Sequence, residues 1–148
     1  MDETGIDTYL YREYGYATRG QKINAAISGR KYKRVGIVAA QLGQKIISPL
    51  SYSGTMDSNL FEFWFENQLL PALPPGAVVV MDNATFHRKT QLICVAQKRS
   101  VRLIFLPPYS PDLNPIENFW AWLKRYLRSS LASSISFDDA LFDAFQVC

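Results

Sequence analysis

Three acidic residues lie at positions from which their side chains could hold metal ions. Asp82 directly follows an apolar run at residues 77–81 that is typical of a buried strand. Ligands of open α/β sheets bind outside the carboxyl ends of the strands, so a carboxylate at this point can face a ligand. Glu117 lies 35 positions later, at the start of a predicted helix, and Asp2 opens a short polar block with the sequence DETG. We therefore treat Asp2, Asp82 and Glu117 as candidate metal ligands.

Each of these acids also has a structural interpretation, which the local sequence leaves open. Asp82 and Asn83 together could simply end a strand in a turn. Glu117 fits the third position of a helix whose N-cap is Asn114 and whose first residue is Pro115, where a carboxylate caps the backbone. Asp2 has almost no informative local context. Asp7, Asp57 and Asp112 compete with it as a third ligand, although Asp57 is better explained as a helix N-cap and Asp112 as a turn residue.

The other metal-binding residue types are scarce, which narrows the chemistry. The chain has one histidine, His87, and two cysteines, Cys94 and Cys148, that are 54 positions apart. This set excludes a multi-histidine site and structural zinc, and it argues against a disulfide framework. Carboxylates without such partners suit hard cations, Mg²⁺ or Mn²⁺. Two such ions about 3.5–4 Å apart can activate an attacking oxygen and stabilise a leaving oxygen at phosphorus.

The helix that begins near Glu117 presents a mixed stripe of charges. Residues four, seven and eleven positions after Glu117 are Ala121, Lys124 and Arg128, which follow each other along one side of a helix. A metal-binding carboxylate beside phosphate-binding cations would produce this pattern, and so would an ordinary solvated face. On the first of these interpretations, Lys124 and Arg128 are candidate phosphate contacts.

Hydrophobic periodicity predicts a β-rich first part followed by alternating helices and strands. The helix near residue 60 should end before Pro71, because proline cannot donate a backbone hydrogen bond. The run at 77–81 is apolar on both faces, as expected for a central strand covered by helices. This order predicts the α/β class, with a mixed sheet flanked by helices. The predicted strands are 35–40, 45–52, 77–81 and 101–106. The predicted helices are one that follows the N-cap Asp57 and ends before Pro71, and others at 88–98, 116–127 and 137–146, and residues 129–136 form a loop.

Length and composition indicate one folded domain. The chain has 148 residues, 48% of them hydrophobic and 14% aromatic, which argues against disorder. The 16 basic and 13 acidic residues give a net charge of +3, which permits a nucleic-acid partner without demonstrating one. We find no signal peptide and no membrane-spanning stretch, and expect a cytoplasmic, reduced environment.

Three sequence blocks in this order resemble the catalytic domain of DDE transposases, and more narrowly the bacterial insertion-sequence branch of the mariner superfamily. The blocks are DETG at 2–5, VVMDNATFH at 79–87 and PPYSPDLNPIENFW at 107–120, and the resemblance covers nearly the whole chain. It implies a ribonuclease-H-like fold and assigns the catalytic, metal-binding triad to Asp2, Asp82 and Glu117. It also implies two Mg²⁺ ions, with Mn²⁺ as a possible substitute, and cleavage and joining of DNA strands in association with the bacterial nucleoid.

The resemblance leaves several further residues and partners as expectations. Asn83 and His87 could support the metal ligands, although a structural hydrogen bond explains His87 equally well. The implied partners are element ends and target DNA, together with further copies of the protein on paired ends. Only Met1 precedes Asp2, so we expect the first central strand to be largely missing and the domain, residues 1–148, to be truncated at both ends.

An upstream DNA-recognition region or the product of a first reading frame should therefore complete the protein. A frameshifted second frame, a degenerate remnant and a wrongly chosen start would each explain the missing strand. Two other functions stay open at this point. One is an inactive transposase-derived fragment, and the other is a different ribonuclease-H-like nuclease acting on hybrids or junctions.

Overall fold

A computed structural model describes residues 1–8, 19, 33–108, 110–131 and 136–147. The described residues form five strands and five α-helices, with a π-helical and a 3₁₀ turn. The strands are β1 (Asp2–Asp7), β2 (Arg34–Leu42), β3 (Lys45–Ser53), β4 (Val78–Met81) and β5 (Arg102–Phe105). The helices are α1 (Ser58–Trp64), α2 (Leu70–Ala72), α3 (Lys89–Lys98), α4 (Ile116–Leu131) and α5 (Phe137–Gln146), with the π turn at Phe65–Leu69 and the 3₁₀ turn at Pro111–Leu113. None of these helices is long and apolar enough to span a bilayer.

The first three strands form an antiparallel sheet in the order β1-β2-β3. Asp2 pairs with Ala39, and Val35 pairs with both Ile6 and Ser53, so β2 lies in the middle. Gly43 has a φ of 62° in the turn between β2 and β3, a conformation that glycine adopts without steric cost. The strands predicted at residues 35–40 and 45–52 are therefore confirmed, and this turn joins them as a hairpin.

Strands β4 and β5 form a parallel pair with α3 as the crossover between them. Val80 pairs with Ile104, and Leu106 N donates to Met81 O at 2.8 Å, which holds the carboxyl ends of both strands side by side. The backbone nitrogen of Met1 donates to Val80 O at 2.8 Å and thereby links β4 to the antiparallel sheet beside β1. The predicted α/β class is confirmed, with its mixed sheet realised as two sheets that meet at this hydrogen bond.

Helices cover both faces of β2. Val38 and Ala40 pack into a core with α1, the π turn, α3 and β4. Val35, Ile37 and Ala39, which alternate with them, pack into a second core with α4 and α5. This alternation of side chains along one strand produces the layered arrangement of helices around the sheet.

Strand β4 differs from the prediction that both of its faces are covered. Val79 and Met81 are buried in the first core, but Val78 is 42% exposed. Among the described residues, the second core contains members of β1 and β2 but none of β4. Helices α4 and α5 therefore cover the antiparallel sheet, and the strand covered on both sides is β2.

The helical segment that follows Asp57 also continues further than predicted. Asp57 caps α1, accepting from Leu60 N at 2.8 Å, as the sequence indicates. The chain stays helical past Pro71 to Ala72, contrary to the prediction that it ends before this proline. A π-helical turn precedes Pro71, and Leu70 N there donates to Phe65 O, five residues back. We infer that this widened turn accommodates the residue that lacks an N–H.

The strand β1 and the end of helix α4 also differ from the prediction. No strand was predicted at residues 2–7, and the first strand was expected to be largely missing, yet six residues from Asp2 onward form β1. Pairing with β2 stabilises this strand despite its polar composition. Helix α4 extends to Leu131, into the segment predicted as a loop, of which residues 132–135 lie outside the described residues.

Candidate active site

The three predicted acids line one open cleft of about 380 Å³. The cleft lies where β4 and β5 end, where β1 begins and where α4 begins. Asp2, Asp82 and Glu117 come from these three separate regions of the sequence, and Asn83 also lines the cleft. The wall between them is built by the loop after β5 and the turn that precedes α4, and includes Leu106, Pro107, Pro108, Ser110, Pro111 and Asn114.

Asp2 is held from several directions. The Trp120 indole Nε1 of α4 donates to Asp2 Oδ2 at 3.1 Å, and both side chains are buried. The adjacent Met1 is held by two hydrogen bonds. Its backbone nitrogen donates to Val80 O, and its carbonyl accepts from Asn114 Nδ2 at 3.5 Å. One end of β1 is therefore attached both to β4 and to the segment that begins α4.

Burial of Asp2 strongly affects its protonation. Asp2 is only 7% exposed, and desolvation is the main cause that raises its pKa to about 7. The negative charges of Glu117 and then Glu3 raise the pKa further, and that of Asp82 adds the smallest increase. A hydrogen bond from the backbone of Glu3 lowers the pKa by more than Asp82 raises it. Asp2 therefore lies in a buried, negatively charged part of the cleft.

Asp82 follows the last residue of β4, as the sequence indicates. Its side chain is 46% exposed, in contrast to that of Asp2. Asp82 Oδ1 is buried and faces His87 Nδ1 at 3.6 Å, which leaves Oδ2 available to the cleft. The rigid parallel pair of β4 and β5 therefore presents one free carboxylate oxygen at its carboxyl edge.

Glu117 lies in the first turn of α4 and is exposed. Its backbone N–H donates to Asn114 O at 3.1 Å, so the loop that contains Pro115 leads directly into the helix. A carboxylate in the first helical turn is stabilised by the partial positive charge of the helix N-terminus. The position predicted from the sequence is thus one where this side chain is both anchored and accessible.

The two residues expected to support the ligands occupy different environments. Asn83 is exposed and lines the cleft. His87 does not line it, and its side chain is fully buried behind Asp82. His87 Nε2 faces Glu3 Oε1 at 3.5 Å. Sequence reasoning assigned no role to Glu3 or to Trp120 as a partner of Asp2, although both lie within the blocks that carry the resemblance.

The donor chemistry of the cleft fits divalent cations. Its three acids offer carboxylate oxygens, which Mg²⁺ and Mn²⁺ prefer. Burial first, and then repulsion by neighbouring carboxylates, raises the pKa of Asp2. A cation would relieve this repulsion. Glu3, Asp82 and His87 also each bring one ligand atom within 4.8 Å of the others.

Lys124 is partly buried and Arg128 exposed on α4. Within the described parts of the chain, neither cation forms an ion pair. Both therefore remain candidate DNA contacts, with their charges available.

The architecture is that of a ribonuclease-H-like domain, and it resembles solved transposase structures. A paired-end complex of the Mos1 transposase with the left transposon end aligns over 84% of this chain and 40% of that chain, with a TM-score of 0.70 and 20% identity. The Mos1 strand transfer complex aligns over 93% of this chain and 42% of that chain, with a TM-score of 0.64 and 19% identity. These similarities confirm the predicted fold.

The sequence identifies the family. The family model described as DDE superfamily endonuclease matches residues 1–139, and the chain belongs to this family, whose members use divalent metal ions. The Tcb1 transposase of Caenorhabditis briggsae is 36% identical over 85 residues, and the Tc1 transposase of Caenorhabditis elegans is 35% identical over 88 residues. These alignments cover 55% and 60% of this chain but 31% of each relative, so the chain spans about a third of their length.

Proposed function

We propose that this chain is the catalytic part of a DNA transposase, which cleaves phosphodiester bonds at element ends and joins them to target DNA. The observation that carries the proposal is the convergence of Asp2, Asp82 and Glu117 on one cleft. These acids lie far apart in the sequence, and each is presented by the end or start of a regular element. Membership of the DDE superfamily endonuclease family and the similarity to the Tc1 and Tcb1 transposases support this assignment.

The chemistry requires charge neutralisation at phosphorus. Asp2, Asp82 and Glu117 would hold two Mg²⁺ ions, or Mn²⁺ in their place, and bound ions would activate the attacking oxygen and stabilise the leaving oxygen. The rigid carboxyl edge of β4 fixes Asp82, and the indole of Trp120 orients Asp2. Water attacks the element end first, and the freed 3′-hydroxyl then attacks the target in a second in-line displacement.

The partners follow from the same assignment. We propose element ends and target DNA as substrates, and an oligomer that works on paired ends. The similar solved structures include a Mos1 paired-end complex with the left transposon end and a Mos1 strand transfer complex, which supports this choice. An upstream DNA-recognition region or first reading-frame product would supply sequence-specific binding, and the protein would act in the bacterial cytoplasm at the nucleoid.

The direct test is DNA cleavage by this chain in its natural polypeptide context. We expect cleavage at the ends of the encoding element with Mg²⁺ or Mn²⁺, and none with a chelator, measured on labelled duplex DNA. Cleavage that persists in the chelator would contradict the proposal. Equal or faster cleavage of an RNA–DNA hybrid would instead favour another ribonuclease-H-like nuclease, and a folded protein that cleaves neither substrate would favour an inactive fragment.

Replacing Lys124 and Arg128 together by alanine should weaken DNA binding. If each contacts one phosphate, the slope of log affinity against log salt concentration should become shallower by about 1.8. Binding measured by fluorescence anisotropy at several salt concentrations tests this. The matched control is Lys98→Ala with Arg99→Ala, because these exposed residues lie at the end of α3 that precedes the start of β5, opposite the cleft. An equal loss in the control would overturn the assigned interface.

A further inference from the structure

His87 lies between two carboxylates that point at its two ring nitrogens. Nδ1 faces Asp82 Oδ1 at 3.6 Å, and Nε2 faces Glu3 Oε1 at 3.5 Å. The imidazole is completely buried, whereas Asp82 is half exposed toward the cleft. The ring therefore connects Asp82, a side chain of the cleft, with Glu3, which lies outside the cleft.

The four facing atoms have no other hydrogen-bond partner within the described residues. Asp82 Oδ1, Glu3 Oε1 and both nitrogens of His87 are buried and unpaired by hydrogen-bond criteria. Buried polar atoms that lack a partner cost stability, and they are rare in folded proteins. Since catalytic contacts are often long before substrate binds, distances of 3.5–3.6 Å are compatible with a contact that tightens in the working complex.

The surroundings fix the plane of the ring. Phe61 lies with its ring centroid 4.3 Å from that of His87, and Phe86 lies edge-on at 4.5 Å. Phe86 is itself tied to α1, because Ser58 Oγ donates to its carbonyl at 2.7 Å. A phenylalanine could fill this apolar space equally well. The packing alone therefore does not explain why a carboxylate faces each nitrogen of the His87 ring.

The strand β1 supplies carboxylates to both sides of the sheet. Consecutive side chains of a strand point to opposite faces, so Asp2 and Glu3 diverge from adjacent positions. Asp2 meets Trp120 of α4, and Glu3 meets His87 on the side of α1. Two adjacent residues of β1 are therefore connected to the candidate metal site. Asp2 is itself a candidate ligand, and Glu3 is linked to the ligand Asp82 through His87.

We propose that His87 is a positioning residue that fixes the carboxylate of Asp82 for metal binding, and that Glu3 anchors the far nitrogen of the ring. This inference rests on the proposed function, because it assigns a role within the same site. By holding Oδ1, His87 directs Oδ2 of Asp82 into the cleft. Outer partners that orient a metal ligand typically change metal affinity or activity 10- to 100-fold when they are removed.

A separate metal centre made of Glu3, Asp82 and His87 fits the geometry less well. A metal ion takes one nitrogen of an imidazole and needs the other ligands to converge on that nitrogen. Here the carboxylates face different nitrogens of the ring. The arrangement is that of a bridge with His87 in the middle.

The test uses substitutions of His87 that each keep a nitrogen at only one of the two ring positions. The amide nitrogen of asparagine can occupy the position of Nδ1, and that of glutamine the position of Nε2. His87→Asn can therefore keep the contact with Asp82, and His87→Gln only the contact with Glu3. His87→Phe keeps the ring and removes both contacts. Mn²⁺ binding to the 148-residue chain is measured by titration calorimetry, with circular dichroism to verify folding and Asp82→Asn as the reference for a lost ligand.

We expect His87→Asn to bind Mn²⁺ within about threefold of the unchanged chain, and His87→Gln and His87→Phe to bind at least about tenfold more weakly. Wild-type affinity in a folded His87→Phe, or equal affinities of His87→Asn and His87→Gln, would overturn the inference. If His87→Phe does not fold, the comparison of the asparagine and glutamine variants still decides.

The role of Glu3 is tested by a double-mutant cycle. Glu3→Gln should weaken Mn²⁺ binding in the unchanged chain but have no further effect in His87→Gln, where the bridge is already broken at Asp82. Full additivity would overturn the anchoring role. If Asp82→Asn binds Mn²⁺ normally, the metal site at Asp82 and the inference both fail. If the expected order of affinities holds but no variant or unchanged protein cleaves DNA, only the proposed function fails.

Discussion

Replacing Asp82 with asparagine should reduce strand cleavage by about a thousandfold or more while the fold is retained. The substitution removes a charge that the proposed Mg²⁺ site needs, and metal ions contribute several kcal/mol to the stabilisation of such transition states, with about 1.4 kcal/mol for each factor of ten. Asp82 is half exposed, so the isosteric amide should be tolerated structurally. Single-turnover cleavage of element-end DNA measures the effect.

Asp112→Asn is the matched control for this substitution. Asp112 is an exposed residue of the 3₁₀ turn that precedes α4, close in sequence to Glu117 but not among the residues that line the cleft. It removes the same charge by the same chemical change, so it should leave cleavage nearly unaffected. Cleavage by Asp82→Asn at a rate near that of Asp112→Asn would exclude Asp82 as a metal ligand.

Replacing Asp2 with asparagine should make the stability of the metal-free protein less dependent on pH. The pKa of Asp2 is raised from 3.8 to about 7, mainly by burial. Below about pH 4 this residue is protonated in both folded and unfolded chains. Between about pH 4 and 7 the unfolded chain has released this proton while the folded chain still holds it, so the free energy of unfolding falls as the pH rises. At about 1.4 kcal/mol per pKa unit, the loss is at most about 4 kcal/mol.

The measurement is the free energy of unfolding in denaturant, with a chelator, between pH 4 and 8. The difference between Asp2→Asn and the unchanged protein should shift in favour of the variant as the pH rises, and the variant should be the more stable protein at pH 8. Asp112→Asn provides the baseline for an exposed aspartate. A difference that is independent of pH would mean that Asp2 is not held in this buried, repulsive environment.

Much of the fold was predictable because it is encoded locally. The helix at Phe137–Gln146 has the predicted bounds, and the hairpin between β2 and β3 is marked by a glycine between two apolar runs. By contrast, β1 was not predicted, because its six polar-rich residues form a strand only through pairing with β2. The helical turn at Pro71 also escaped prediction, since the π turn at Phe65–Leu69 that leads into it is not visible in hydrophobic periodicity.

The sequence predicted the candidate metal ligands but not the contacts that support them. Asp82 and Glu117 were visible at the end of a strand and the start of a helix, and the structure brings them to one cleft with Asp2. Their supporting residues were not visible. Trp120 and Asp2 are separated by 118 positions, and Glu3 and His87 lie on different elements, so no local spacing relates them. Such contacts depend on how the layers pack.

The contact between Trp120 and Asp2 means that assembly of the site is cooperative. Helix α4 carries Glu117 and, one turn later, the indole that holds Asp2, while Asn114 just before the helix is bonded to Met1. A local opening that lifts the first turns of α4 would withdraw one acid and release another at the same moment. Glu117 and Asp2 therefore enter and leave the cleft together, whereas Asp82 stays in place at the end of β4.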